Sequence, residues 1–415
     1  MTGISRTGIS RRTVLQAASG AAAMNVTRSF AQTKETLTFA AGLFAEAGRG
    51  DKTRAWVDKF NKSQDRYAIE PVAISFSKLA DTVFTQMGGG GGPDLIRFDQ
   101  TDFFAAVPAG RLFPVDDLLD LSKYKFQAAD KFVKVDGKRI GIAFETANYA
   151  MLYNPALLKD GTPPKDFDAF VAAAKEATGK GKFGYAYRAT MPERAGFWFD
   201  LSNYVYGFGG QWGGNGEPTL NSPEVIEAIT QYKRVYDLGV IPKGADAATY
   251  RRMFWEGKIA MNVDNGGVGG IFSAQAPDFK FDAAPSPFPN KTQGITLTML
   301  AFNANSKKKA AAAAFIEWML QPEPQAELQL LLGASNVATQ IPRAEEELKK
   351  YPWVTAFDQN TPNGQPFLVR SLESKTLDFQ QVVCENVLRC LIGGESPKQV
   401  MADAQAQALS RILRR

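Results

Sequence analysis

The sequence predicts an α/β protein built around a mainly parallel sheet. Two observations carry this. Short strand-like apolar runs alternate with amphipathic stretches, and glycine, proline or a capping residue marks the changeovers. The chain also has 415 residues and 45% hydrophobic content, which is enough for two domains and a large buried core.

Leu37-Thr38-Phe39-Ala40-Ala41 reads as the first strand, followed by the loop Gly42–Gly50. A helix is expected from about Asp51 to Asn61, with Trp56 and Phe60 one turn apart. Ile69–Phe76 is a second strand, and Asp81–Met87 a helix stopped by the glycines at 88–92. Asp94–Phe98 is a short, buried-type third strand. The glycine run is no phosphate loop: Pro93-Asp94 follows it where Gly-Lys-Ser/Thr is needed, and it precedes a strand instead of opening a helix. It reads as a flexible connection. Gly141–Phe144 and Ala150–Tyr153 are strand-like and flank Glu145-Thr146-Ala147-Asn148. Asp166 is placed to cap a helix with Phe167, Phe170, Val171 and Ala174 on one face. Ser222-Pro223 and Ser396-Pro397 each open a helix with proline at its first position, and Gly239 closes the former. Pro277–Pro289 reads as an irregular connection with one short strand at Phe279–Ala283.

Residues 1–31 have a charged start, a short apolar middle and the small-residue end Ser29-Phe30-Ala31, the layout of a secretory signal. The apolar run is too short and alanine-rich to span a bilayer permanently. Ser10-Arg11-Arg12-Thr13-Val14-Leu15 resembles the twin-arginine signal, which exports folded proteins. The expectation is cleavage near Ala31 and a periplasmic protein. The leader holds four arginines and no acid, so the excess of 48 Lys+Arg over 43 Asp+Glu shrinks to 44 against 43 in residues 32–415. No nucleic-acid footprint is left, because phosphate binding needs concentrated basic surface. Lys307-Lys308-Lys309 reads as a solvated helix start.

There is no histidine, which excludes Ser-His-Asp and Cys-His nucleophile systems and most catalytic zinc sites. Cys384 and Cys390 fall in a helical stretch, Phe379–Ile392. Six helical residues rise about 9 Å, too far for a disulfide without breaking the helix. Two buried thiols are expected, with a disulfide as the alternative in an oxidising compartment.

Several blocks occur in a meaningful order. They are Pro93-Asp94-Leu95-Ile96 with Ala109–Asp117, Asp136–Ala143 with Leu152-Tyr153-Asn154, Thr162–Asp168, Phe254–Met261, and Ala311–Leu320 with Pro324-Gln325. Together they resemble bacterial extracellular solute-binding proteins of family 1, the maltose-binding-like receptors of ABC sugar importers. Two departures stand out: Gly266-Gly267 where the family often has tryptophan, and Ala143 where it has proline. The resemblance implies a two-lobed periplasmic-binding-protein fold whose hinge is crossed two or three times, near 144–146, 298–300 and 337–341. One lobe would comprise 32–144 plus 301–337, the other 147–297 plus 338–415. It also implies a sugar held between the lobes, no catalysis, no cofactor or metal, an ABC permease in the inner membrane as partner, and a monomer.

Sugar hydroxyls need fixed, often charged, hydrogen-bonding partners, and sugar C–H faces need flat rings. Such groups converge in the loops at the C-terminal ends of parallel strands. By that test the candidate ligand-binding residues are Phe44 and Glu46 after the first strand, Asp99 and Asp102 after the third, and Glu145 and Asn148 at the first crossing. Trp198 and Trp212 come from the aromatic stretch 196–216, and Asp264 and Asn265 stand beside two glycines that let a backbone approach closely. Asp102 alternatively caps the helix that follows it, and Glu145 alternatively serves the hinge. The competing functions are a receptor for a polyol or polyamine, and an exported glycoside hydrolase drawing its carboxylates from Glu46, Asp99 and Glu145.

Overall fold

A computed structural model describes residues 33–46 and 49–414. The signal expected over residues 1–31 lies outside the described residues. The main sheet contains β1 (Glu35–Ala41), β2 (Tyr67–Ala73), β3 (Leu95–Asp99), β4 (Gly141–Tyr153), β5 (Phe183–Ala186), β6 (Ile259–Asn265) and β7 (Gln293–Asn303). Their spatial order is β2-β1-β3-β7-β4-β6-β5. The pairs β1–β2, β1–β3 and β5–β6 are parallel. The sheet is nevertheless mixed, because β7 runs against both β3 and β4, and β4 runs against β6.

The two antiparallel strands are the ones that tie the lobes together. β4 is one strand of 13 residues, not two runs flanking a break. Its first part pairs with β7 as far as Asn148, and from Tyr149 it pairs with β6. Glu145-Thr146 stay extended because Leu297–Thr298 on one side and Asn336–Val337 on the other supply backbone partners. β7 crosses likewise, from Gly364–Pro366 at its start to β3 at its end, with a bulge between Thr298 and Met299.

The hydrophobic clusters separate into two sets. One draws on residues 37–144 and 295–338, with Leu368 reaching in. The other draws on residues 149–288 and 353–412. The helix Gly50–Ser63 shows why its sequence folds as it does. Trp56, Val57 and Phe60 face inward, and the Trp56 indole donates to the Pro324 carbonyl at 3.0 Å, so the large ring is buried without losing its hydrogen bond.

Boundaries shift where side chains take over backbone bonding. β2 begins two residues earlier than expected because the Gln64 and Asn61 side chains accept from the backbone N–H of Tyr67 and Ile69. It also ends early, since the next helix spans Phe76–Gly88. The short strand of the proline-rich connection is Asp282–Ala284, paired to the end of β4. Asp94 gathers the Thr38 N–H and hydroxyl, the Ser306 hydroxyl and the Lys308 ammonium. Burial pushes its pKa up, but these bonds outweigh it and hold the carboxyl below its usual range. Lys308 is therefore an ion-pair partner, and Lys309 lies over the Phe113 ring at 3.8 Å, so the lysine run is more than a solvated helix start. Cys384 and Cys390 are free, buried thiols in the helix Thr376–Leu391.

Candidate ligand-binding cleft

β1 and β3 are parallel, and β4 runs the same way because both β3 and β4 oppose β7. β1 and β3 therefore end on one edge, where β4 crosses into the second lobe. Register fixes what that edge presents. Thr298 stands opposite Asp99 on one side and Glu145 on the other, and Leu300 stands opposite Arg97. Arg97, Asp99, Thr298 and Glu145 therefore share one face of the sheet. Arg97 reaches across β7 to form an ion pair with Glu145, and its guanidinium lies over the Phe144 ring at 5.7 Å. Two atoms in this strip are buried without a hydrogen-bond partner, the Nε of Arg97 and the Oγ1 of Thr298.

Helix capping at this edge falls to Asp99. Its Oδ1 accepts from the Asp102 N–H at 2.9 Å and from the Thr101 hydroxyl at 2.8 Å, opening the helix Gln100–Ala106. The alternative in which Asp102 caps is thereby corrected. Asp102 is half-buried, and burial, then Asp99, then Asp81 push its carboxyl pKa up to about 7. Glu46 pairs with Arg49 at 2.6 Å, both half-exposed.

The second lobe answers with a buried polar network. Asp200 accepts three bonds from Arg188: from the backbone N–H at 2.7 Å, Nε at 2.8 Å and Nη2 at 2.6 Å. Asp264 accepts from the Tyr250 hydroxyl at 2.8 Å, from Arg251 at 2.9 and 3.0 Å, and from the Asn265 N–H at 2.8 Å. Burial raises both carboxyls, but only at Asp264 do Arg251 and Arg188 overcome it; Asp200 stays above its usual range despite Arg188. Asn265 is half-buried, and its side chain accepts from the Gly267 N–H, capping the helix Gly266–Gln275.

Several expected ligand contacts sit inside the protein instead. Trp198 and Trp212 are both 0% exposed and stack on each other with ring centroids 4.7 Å apart. Their indole N–H groups donate to the Phe367 carbonyl and the Ser202 hydroxyl. Neither offers a free face to a sugar. The glycines around Trp212 let the backbone wrap closely over it: a Cβ at Gly213 would lie 2.8 Å from Val369. Phe44 is buried edge-on against Phe39 at 5.2 Å. Asp264 is fully buried with its oxygens occupied. Asn148 is buried and ties β4 to the second lobe through the Phe357 carbonyl and the Thr361 hydroxyl. Glu46, Asp99, Asp102, Glu145 and Asn265 remain partly accessible.

Sequence reasoning missed Arg97, Arg188 and Asp200. The signals were present: a charge inside the apolar run Leu95–Phe98, and an acid, Asp200, within the aromatic stretch 196–216. The lobes touch directly where the Gln100 side chain accepts from the Phe367 N–H at 3.2 Å. A cavity of about 10 Å³ near the crossings, lined by residues including Gln127, Asn148, Ile295 and Thr361, has room for about one water and no solute. Among the described residues there is no group of three or more metal-ligating side chains, and no helix is long and apolar enough to cross a membrane.

The family model of the bacterial extracellular solute-binding proteins matches residues 46–326. Among solved structures, the cyclic α-maltosyl-1,6-maltose binding protein of Arthrobacter globiformis is 20% identical, covers 92% of this chain and 98% of its own, and superposes with a TM-score of 0.79. The GacH receptor of Streptomyces glaucescens, known unliganded and with acarbose, is 20% identical over 92% of this chain and 99% of that one, with a TM-score of 0.76. UgpB of Mycobacterium tuberculosis, in complex with glycerophosphocholine, is 17% identical over 92% and 99%, with a TM-score of 0.78. No match is found among curated protein sequences.

Proposed function

The chain belongs to the bacterial extracellular solute-binding proteins, and from this we propose that it is the receptor of an ABC importer that captures a carbohydrate between its lobes. The observation that carries the reading is the strip Arg97–Asp99–Thr298–Glu145, which lines the strand ends where the crossing strands leave the first lobe. Fixed charged groups at such an edge suit hydroxyl recognition, because charge-assisted hydrogen bonds are the strong ones. Two of the structural relatives bind an oligosaccharide or acarbose by name.

In this reading Glu46, Asp99, Asp102, Glu145 and Asn265 meet the solute. Asp264, Asn148, Trp198 and Trp212 hold the walls, and Phe44 packs behind the first loop. The lobes comprise 32–144 plus 301–337 and 147–297 plus 338–415; the two sets of hydrophobic clusters follow this division except that Ile295, Leu297, Ala338 and Leu368 pack with the first set. Solute closes the lobes by hinge motion. The protein works as a periplasmic monomer beside an inner-membrane permease, after export by its twin-arginine-type leader, and it catalyses nothing: Glu145 is held by Arg97, and Asp99 is engaged as a helix cap.

The test is mass spectrometry of small molecules released from the purified, denatured protein, followed by calorimetric titration. A released carbohydrate that rebinds with a dissociation constant at or below about 1 μM supports the reading. Protein-dependent hydrolysis of a glycoside, lost in Glu145→Gln, would overturn it in favour of an enzyme.

A further inference from the structure

The first-lobe edge of the cleft carries unbalanced acid. Arg97 is engaged with Glu145, and Arg49 with Glu46. Asp99 and Asp102, with Asp81 close enough to act on Asp102, have no salt-bridging cation among the described residues. Asp99 is hydrogen-bonded to the start of its helix through Oδ1, whereas among the described residues no hydrogen bond reaches the Asp102 carboxyl. A second, separate deficit lies beside Asp99. Thr298 stands opposite Asp99 on the same face, only 6% of it is exposed, and its hydroxyl has no partner.

Each deficit is costly. A half-buried carboxylate without a donor and a buried hydroxyl without a partner both forfeit hydrogen bonds they had in water. A neutral hydroxyl would satisfy Thr298 but leave the negative charge standing. A metal ion would want more ligands than this edge offers, and no group of three or more metal-ligating residues exists among the described residues. A quaternary ammonium would balance charge but brings no N–H. A protonated primary amine meets both needs, with three donors and one positive charge.

We propose that Asp99, Asp102 and Thr298 form a subsite for a protonated primary amine of the captured solute, which makes that solute an amino sugar. This rests on the carbohydrate reading above, and the experiment separates the two.

The experiment is calorimetric titration of the full-length mature protein with paired probes near neutral pH: glucose and glucosamine, galactose and galactosamine, cellobiose and its diamino counterpart. The N-acetylated forms, putrescine and spermidine are run alongside. At least one amino member is expected to bind about tenfold or more tightly than its hydroxyl parent, and N-acetylation should abolish the gain. The preference should vanish in Asp99→Asn/Asp102→Asn, with circular dichroism confirming the fold, and weaken in Thr298→Val. A neutral parent that binds as tightly as its amine overturns the subsite and leaves the carbohydrate reading standing. Retention of polyamines with no sugar bound overturns the carbohydrate reading and the amino-sugar assignment with it. Binding of neither amino sugars nor polyamines overturns the subsite.

Discussion

Asp102 illustrates how a single residue can be costly to the fold. Its carboxyl is pushed up to about 7 by burial first, then by Asp99 and Asp81. The folded chain therefore holds this proton more tightly than the unfolded chain, whose value is the ordinary 3.8. Stability falls as pH rises between those two values, and the whole penalty is present above the upper one. Asp102→Asn removes the titration. It should raise the melting temperature by several degrees at about pH 8 and change it little at about pH 4, measured without ligand. Equal shifts at both pH values would show that the carboxylate carries no special cost. The sequence exposed Asp99 and Asp102 as candidates because they follow a strand. It could not show which one caps, since that depends on whether the helix starts at Gln100 or three residues later. Trp212 was misjudged for a related reason: glycines that look like a place to expose a ring are here what lets the backbone close over it.

At the scale of elements, the crossing strands were the least legible part. Glu145 and Asn148 interrupt an apolar run, which reads as a break, yet β4 continues through them because Arg97 satisfies one and the Phe357–Thr361 segment the other. Those partners lie 48 and more than 200 residues away in the chain. Local periodicity carries no trace of them. The helices were far more legible: Asp166, Ser222 and Ser396 cap where expected, because capping is a local bond. β7 makes a sharper test of the crossing geometry. Gly294 is where it passes the second lobe, and a Cβ there would lie 1.9 Å from the Phe367 ring. Phe367 cannot retreat easily, since it stacks on Phe199 at 4.5 Å and meets Tyr149 edge-on at 5.1 Å. Gly294→Ala should destabilise by about 1–3 kcal/mol, as overpacking does, seen as a lower urea midpoint with unchanged slope. A wild-type midpoint would mean that the ring has room that the structure denies.

For the whole molecule, the resemblance blocks foretold a two-lobed α/β fold, and the fold bears this out. They gave no account of what holds the lobes against each other, because those contacts join distant segments. The clearest is Gln100 accepting from the Phe367 N–H, which bridges the first helix turn after β3 to a segment of the second lobe. Gln100 is 2% exposed, so the bond forms away from competing water. If solute capture proceeds by closure, a bond made only when the lobes meet adds to affinity without adding to the stability of either lobe. Gln100→Met keeps the side-chain volume and removes the acceptor. It should weaken solute binding by a few-fold to about tenfold, matching one net hydrogen bond of about 0.5–1.5 kcal/mol. The ligand-free melting temperature should shift far less than the bound one. In small-angle scattering the variant should need more ligand to reach the compact radius of the wild-type complex. Should the affinity stay the same while the ligand-free protein alone melts earlier, Gln100 would belong to the packing of its own lobe and not to closure.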